Sequence, residues 1–156
     1  SLSKNLSKYF QTKGIKSILL DGDDLRQVLG TSAPVEEKYT KTSRLKMARI
    51  YGKLCKLLAE QEFWVIVSTI SMFDEVYTWN RENLPNYIEV YLKVPIELLQ
   101  DEDAKGIYSV YGDHPTGVAG INLVVDEPKT PHLILNARDT SDLGQFVKII
   151  TQYLKI

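Results

Sequence analysis

Apolar residues occur along the chain in two kinds of pattern. Four short apolar runs, bounded by glycine, proline or charged residues, are typical of buried parallel strands; they cover residues 15–20, 63–69, 87–94 and 132–136. Between and around these runs, helical spacing of apolar residues or helix-start signals predict helices over residues 2–12, 23–29, 41–60, 73–84, 95–101 and 142–156. Because strands and helices alternate, we expect an α/β fold: a three-layer α/β/α sandwich with a mainly parallel sheet.

Local sequence signals predict the caps of two helices and the limits of a long loop. Gly14 predicts the C-cap of the first helix, and Asp23 or Asp24 predicts the N-cap of the second. Residues 103–131 contain four glycines and three prolines and predict a long loop or mobile lid. Since no repeat or low-complexity tract divides the chain, residues 1–156 are interpreted as a single domain with this lid-like loop.

Composition narrows the class of protein. Lys and Arg number 19 and Asp and Glu 20, a formal net charge of −1, which argues against a basic surface for duplex nucleic acid. Cys55 is the single cysteine, so an internal disulfide and a thiolate zinc site are excluded. The longest clean apolar run, residues 63–67, is far shorter than the about 20 residues that cross a bilayer, and no apolar stretch follows the N-terminal lysines. We therefore expect a cytoplasmic protein that binds neither nucleic acid nor membrane.

Chemistry in a parallel α/β sheet collects at the carboxyl ends of the strands. The segment Asp21-Gly22-Asp23-Asp24-Leu25-Arg26 follows the first predicted strand directly. Its carboxylates can hold Mg²⁺, partly through water, and can accept a proton from a hydroxyl. Arg26, about one turn into the next helix, can bind a phosphate or sulfate. The alternative is a polar turn with a helix cap.

Two later segments hold further candidates, each with a structural alternative. Arg44 and Arg49 flank the inward face of the long helix with Met47 between them, although arginines are also common on a solvated helix flank. Ser71 and Phe73 follow the second predicted strand. There the phenyl ring could stack on a base, or the serine could cap a helix and the phenylalanine belong to the core.

The sequence gives weaker indications of function for a lysine in the predicted lid, the two histidines and the cysteine. Lys105 in the predicted lid can reach a phosphate, but the acidic residues 101–103 oppose anion binding there unless a metal intervenes. His114 and His132 have no partner at metal-ligand spacing and are interpreted as a loop residue and a strand-edge residue. Cys55, on the apolar face of the long helix, is interpreted as a small core residue.

In order and spacing, these segments resemble the adenylylsulfate kinase family of P-loop kinases. Residues 20–26 are similar to the family's Leu-Asp-Gly-Asp-Asn-x-Arg, and residues 44–74 to its arginine-bearing helix, strand and Ile-Ser-Pro-Tyr-Arg. Residues 87–98 resemble Phe-Ile-Glu-Val-Tyr followed by Pro-Leu-Glu. Residues 102–108 resemble Arg-Asp-x-Lys-Gly-Leu-Tyr, and residues 119–128 resemble Thr-Gly-Ile-Asp followed by Tyr-Glu-x-Pro. The collinear match over essentially the whole chain implies a P-loop nucleoside-kinase-like fold.

The resemblance implies transfer of the γ-phosphate of ATP, with Mg²⁺, to the 3′-hydroxyl of a nucleotide. It makes Asp23 the base or Mg²⁺ organiser, with Asp21 supporting the metal. The residues that it places around the acceptor are Arg26, Arg44, Met47, Arg49, Phe73, Lys105 and Ile107. Of these, Arg26 and Arg49 would hold the phosphoryl groups, Lys105 the charge, and Phe73 and Ile107 the base. Ser71 matches a serine proposed as a phosphoryl carrier, a role that direct in-line transfer does not need. The family tendency also implies a homodimer.

A phosphate-binding loop is not found in the sequence. No segment matches G-x-x-x-x-G-K-[ST], and the chain opens on a helix where such a fold normally opens on a central strand. The resemblance implies that the family's first strand and its Gly-Lys-Ser/Thr loop belong immediately before Ser1. We expect both to precede Ser1 in the complete protein.

Departures from the family's pattern fall in the acceptor pocket and the lid. Met47 stands where the family has Asn, Asp74 and Glu102 stand where it has Arg, and residues 109–112 replace a basic run. Because uncompensated charge reversal beside a triphosphate is costly, we expect an altered acceptor. Cytidine diphosphoramidate, a capsule precursor that a relative phosphorylates, is the acceptor we favour. Ordinary adenylylsulfate kinase activity in sulfate activation and an inactive, nucleotide-binding relative stay open as alternatives.

Overall fold

A computed structural model describes residues 1–29, 40–94, 125–137 and 142–156 of the chain. These residues form five helices and four strands. In chain order they are α1 Leu2–Thr12, β1 Ser17–Asp21, α2 Gly22–Leu29, α3 Lys41–Ala59, β2 Trp64–Ser68, α4 Asp74–Asn83, β3 Val90–Lys93, β4 Leu133–Asn136 and α5 Leu143–Leu154. The predicted helix near residues 95–101 and most of the predicted lid lie outside the described residues. The end of that lid, residues 125–131, is neither helix nor strand.

The first helix ends at Thr12, as the sequence predicts, but its cap lies one residue before the predicted Gly14. Lys13 is the C-cap, and Gly14 follows in the left-handed region with φ of 69°. The N–H of Gly14 donates to the carbonyl of Gln11 at 3.1 Å, and the N–H of Ile15 to that of Phe10 at 2.9 Å. This pair of hydrogen bonds is a Schellman motif, which glycine favours because it adopts positive φ without strain.

The strands form two parallel pairs, which confirms the parallel pairing expected from their apolar runs. Residues 17–21 of β1 pair with residues 64–68 of β2, and residues 90–93 of β3 with residues 133–136 of β4. Parallel strands need a crossover, and the chain between β1 and β2 supplies one through α2 and α3. Asp21 and Ser68, the last residues of β1 and β2, are register partners, so both strands present their carboxyl ends at one edge.

Side chains alternate across this sheet and divide the helices between two layers. Ile66 packs against the core cluster of α1, β4 and α5, whose buried members are Leu6, Phe10, Leu135, Phe146, Val147 and Ile150. Leu20 follows Leu19, the register partner of Ile66. It packs instead against Leu25, Met47 and Tyr51 of α2 and α3. Because successive residues of a strand point to opposite faces, α1 and α5 cover one face and α2 and α3 the other. The α/β sandwich predicted from the sequence is confirmed.

The structure corrects the predicted start of the third strand and the predicted cap of the second helix. The third strand, predicted from Tyr87, begins at Val90, because the N–H of Glu89 donates to Nδ1 of His132 at 3.0 Å instead of joining the ladder. The second helix begins at Gly22, so the predicted cap at Asp23 or Asp24 is wrong. Across the described ranges, no helix combines the length and apolarity needed to span a membrane.

Candidate active site

The turn after β1 is built on the side chain of Asp21. Its Oδ1 accepts a hydrogen bond from the N–H of Asp23 at 2.9 Å and so occupies the N-terminus of α2. Asp23 and Asp24 then fall in the first helical turn, where the helix dipole favours negative charge. Asp21 therefore caps α2, the role predicted from the sequence for Asp23 or Asp24.

Gly22 brings this turn close to the end of β2. A Cβ at this position would lie 3.1 Å from Cγ2 of Thr69 and 3.3 Å from the carbonyl oxygen of Ser68. Both contacts are tighter than ordinary packing, so the absence of a side chain lets the two strand ends approach. Both predicted segments of the site, residues 21–26 and the residues that follow β2, are thus held side by side.

Arg26 lies one helical turn further along α2 and faces back toward the start of that helix. Its Nη1 lies 3.5 Å from Oδ1 of Asp23, with 24% of the Arg26 side chain and 59% of the Asp23 side chain exposed. The hydroxyl of Tyr51 on α3 donates to the carbonyl of Gly22 at 3.3 Å and also hydrogen-bonds the Arg26 side chain. A carboxylate, a guanidinium and a phenol therefore converge on one turn.

Helix α3 divides its predicted site residues between two sides. Arg44 and Met47 share a helical face with Tyr51, since positions three, four and seven apart lie one above another. Met47 is 6% exposed and packs with Leu25 and Tyr51. Arg49 lies about 200° around the helix from Met47, and its Nη2 is 2.9 Å from Oε2 of Glu75 on α4. Met47 therefore faces α2, Arg44 lies on the same face of α3, and Arg49 is turned toward α4.

Phe73 lies in the core, the structural alternative that its position after β2 allowed. It is 1% exposed and packs with Ala48 and Val76, and Nζ of Lys41 lies 5.7 Å from the ring centroid. Stacking on a base would require this ring to be uncovered and stays a prediction. Ser71 is half-buried and does not cap α4, because the N-cap residue is Phe73.

The cap of α4 comes from a distant segment that the sequence did not indicate. Oδ2 of Asp126 accepts from the N–H of Asp74 at 3.0 Å, and the N–H of Asp126 donates to the carbonyl of Met72 at 3.0 Å. The Tyr77 hydroxyl donates to the Asp126 carbonyl at 2.9 Å, and Nζ of Lys129 lies 2.6 Å from Oδ2 of Asp74. The end of the predicted lid is thereby fastened to the loop that follows β2. The glycine-rich stretch before Asp126 and the family resemblance of residues 119–128 marked this segment, but neither indicates this contact.

Lys105 and Ile107 lie outside the described residues, as do Glu102, His114 and residues 109–112. The roles of Lys105 and Ile107 in binding a nucleotide stay predictions. Cys55 is buried, as predicted for a core residue, and burial raises the pKa of its thiol to about 11. A protonated, buried thiol is a poor nucleophile, so Cys55 has no part in the proposed chemistry.

A second polar cluster lies just before β3. Glu89 is 6% exposed and accepts hydrogen bonds from Nη2 of Arg81 at 2.8 Å and from the Tyr87 hydroxyl at 3.0 Å. Arg81 also donates to the side chain and carbonyl of Thr130 at 2.6 and 2.9 Å. Burial, together with the negative charge of Glu89, raises the pKa of Tyr87, so its phenol stays a donor. The hydrogen bonds join α4 to the start of the β3–β4 pair.

The carboxylates after β1 fit a magnesium ion that is held jointly with phosphates. Mg²⁺ commonly binds one or two protein carboxylates and completes its shell with waters and substrate phosphates. Asp21 and Asp23 can supply these carboxylates. Within the described parts of the chain no group of three or more His, Cys, Asp or Glu residues could form a metal site by itself.

Comparison with known proteins identifies one family. The family model for adenylylsulphate kinase matches residues 1–136. A cytidine diphosphoramidate kinase of Campylobacter jejuni is 36% identical over 140 residues, which are 89% of this chain and 79% of that protein. A probable adenylyl-sulfate kinase of Pyrococcus abyssi is 30% identical over 145 residues, 91% of this chain and 80% of that protein.

A solved structure shows the same fold. The Mycobacterium tuberculosis APS kinase in complex with AMPPNP and APS superimposes with a TM-score of 0.85 at 23% identity. The match covers 99% of this chain and 89% of that one. At this level of identity, the superposition establishes the likeness of fold.

Proposed function

Because the chain belongs to the adenylylsulfate kinase family, we propose that it transfers the γ-phosphate of ATP to the 3′-hydroxyl of a nucleotide. The observation that supports this most directly is the turn after β1, where the exposed carboxylate of Asp23 lies 3.5 Å from the guanidinium of Arg26. This reaction needs a carboxylate that takes the hydroxyl proton and a cation that binds an anionic group of the acceptor.

Each described side chain of the turn has a separate task in this proposal. The Asp23 carboxylate orients the acceptor hydroxyl and receives its proton, while Asp21 holds the turn through its hydrogen bond to the Asp23 N–H. Arg26 and Arg44 bind the anionic 5′ group of the nucleotide. Asp21 and Asp23 would hold Mg²⁺, which when bound offsets negative charge on the phosphoryl groups. Direct transfer leaves no covalent role for Ser71.

We propose cytidine diphosphoramidate as the acceptor, with adenylylsulfate as the alternative. The Campylobacter jejuni relative named for that substrate is 36% identical, against 30% for the Pyrococcus abyssi relative. Met47, where the family has Asn, packs into a buried apolar cluster and presents no amide to an acceptor. Asp74, where the family has Arg, is paired with Lys129, so this charge reversal is compensated within the protein and does not favour an inactive relative.

The test is a steady-state assay of the complete protein with Mg-ATP and each of the two nucleotides, following phosphate transfer to the 3′ position. We expect kcat/KM to be higher for cytidine diphosphoramidate. Turnover of adenylylsulfate alone would reject the favoured acceptor and retain the kinase. Absence of turnover with both would favour the inactive, nucleotide-binding relative.

We also propose a homodimer, as the family resemblance implies. Static light scattering of the purified protein at micromolar concentration measures the mass directly. A mass equal to one chain would contradict this proposal without affecting the kinase assignment.

A further inference from the structure

Tyr51 of α3 lies beneath the turn that carries the proposed chemistry. The residue is 4% exposed, and its ring packs with Leu25 and Met47. Its hydroxyl reaches the carbonyl of Gly22 at 3.3 Å and hydrogen-bonds the side chain of Arg26. Both partners of the hydroxyl therefore belong to the segment of residues 21–26.

The two hydrogen bonds use both capacities of one phenol. The O–H donates to the Gly22 carbonyl, and the oxygen accepts from the guanidinium of Arg26, which has only donors. Burial raises the pKa of the Tyr51 phenol, with Arg26 opposing the shift. The phenol therefore remains protonated and able to donate at neutral pH.

Packing alone does not account for the hydroxyl. The ring fills space among Leu25 and Met47, which phenylalanine would also fill. A buried hydroxyl is costly unless it is hydrogen-bonded, and here its two partners sit on either side of Asp23 in the chain. The Arg26 guanidinium is in turn 3.5 Å from the Asp23 carboxylate. Tyr51 thus connects the backbone of the turn to the cation that faces it.

We propose that Tyr51 is a positioning residue for the acceptor nucleotide, which orients the Arg26 guanidinium toward the acceptor's anionic 5′ group and holds the Gly22 carbonyl beneath it. The inference rests on the proposed function and deepens it. Removal of the hydroxyl lets Arg26 adopt other rotamers, so acceptor binding weakens while ATP binding and the chemical step change little.

The test uses Tyr51→Phe, which keeps the ring and removes one oxygen. Isothermal titration with cytidine diphosphoramidate and with adenylylsulfate, together with steady-state kinetics, measures the acceptor Kd, both KM values and kcat. We expect the Kd and KM of the preferred acceptor to rise about 3- to 10-fold, as for the loss of one hydrogen bond. The KM for ATP and kcat should change less than about 2-fold.

Tyr87→Phe is the matched control. Tyr87 is half-buried, and its hydroxyl is also hydrogen-bonded, to Oε2 of Glu89 at 3.0 Å. It precedes the amino end of β3, away from the strand ends that carry the site. The same loss of one oxygen there should leave the acceptor Kd unchanged. A matching rise in Kd for both variants would assign the effect of Tyr51 to general loosening of the fold and overturn the inference.

A double-mutant cycle separates positioning from packing. If Tyr51 acts through Arg26, then Tyr51→Phe in an Arg26→Ala background should change the acceptor Kd less than about 1.5-fold. An undiminished effect in that background would overturn the inference. If the wild-type protein binds the acceptor and Tyr51→Phe binds it with the same Kd, the inference is overturned but the proposed function is not. A wild-type protein that binds neither nucleotide would overturn the proposed function as well.

Discussion

Glu89 and Asp23 both lie near an arginine, but their surroundings differ. Glu89 is 6% exposed and accepts hydrogen bonds from Arg81 at 2.8 Å and from Tyr87 at 3.0 Å. The Asp23 side chain is 59% exposed, and its distance to Arg26 is 3.5 Å, longer than an ordinary charged hydrogen bond. The first carboxylate is enclosed by protein partners before the amino end of β3. The second is accessible to a ligand after the carboxyl end of β1, where parallel α/β proteins bind substrates.

The largest effect expected from this comparison is on activity at Asp23. Asp23→Asn removes the proton acceptor and keeps the size of the side chain, so kcat/KM for the acceptor should fall by about 10²- to 10⁴-fold. Because the side chain is exposed, the free energy of unfolding should change by less than about 0.5 kcal/mol. Acceptor kinetics and urea denaturation measure the two quantities.

Asp24→Asn is the matched control for Asp23→Asn. Asp24 lies in the same first turn of α2, is exposed, and loses the same charge on substitution. It should keep kcat/KM within about 3-fold of wild type, which corresponds to a change of at most about 0.7 kcal/mol in activation free energy. Equal losses at both positions would indicate that the summed charge of the turn matters, and full activity in Asp23→Asn would refute its proposed role.

Glu89→Gln should have the opposite signature, a loss of stability with little loss of activity. The substitution removes the charge from a buried pair whose arginine is about a third exposed. We expect the free energy of unfolding to fall by about 2 kcal/mol, below the about 3–5 kcal/mol of a fully buried pair. Urea denaturation measures the change, and an unfolding midpoint equal to that of wild type would contradict the structural role.

The comparison also shows which features a sequence reveals. Strands and helices were predictable because burial leaves a pattern of apolar residues. In β1 the pattern is a short apolar run, and in α5 it is a helical spacing, with Phe146, Val147 and Ile150 facing inward. The acidic turn was predictable because its residues are consecutive. The ends of the helices and strands were less predictable. Whether Asp21, Asp23 or Asp24 caps α2 depends on which carboxylate reaches a free N–H.

Contacts between distant residues could not be predicted from one sequence. Asp126 and Asp74 are 52 positions apart, and Tyr51 and Gly22 are 29 apart. Nothing in the local pattern of either segment selects its partner, because the fold brings them together. The same holds for Arg49, which the resemblance assigns to the acceptor and the structure pairs with Glu75.

Asp126 lies between the two extremes, since it is half-buried and caps α4 through one hydrogen bond. Asp126→Ala removes that cap and should lower the free energy of unfolding by about 1 kcal/mol. Asp126→Asn keeps an oxygen that can accept from the Asp74 N–H and should retain most of the stability. Thermal or urea unfolding of both variants measures the difference. Equal destabilisation in the two would indicate that the carboxylate charge matters more than the cap.

Arg49 provides the smallest expected effect and tests whether exposure alone makes a binding site. Both side chains of its pair with Glu75 are exposed, Arg49 to 67% and Glu75 to 47%, but the pair lies on the α4 side of α3. Arg49→Gln should therefore lower the free energy of unfolding by less than about 0.5 kcal/mol, and should raise the acceptor KM less than about 2-fold. Arg44→Gln, on the Tyr51 side of the same helix, should raise that KM about 10-fold, the equivalent of one charged contact. Equal effects of the two substitutions on KM would mean that the family pattern locates the acceptor better than the face of the helix does.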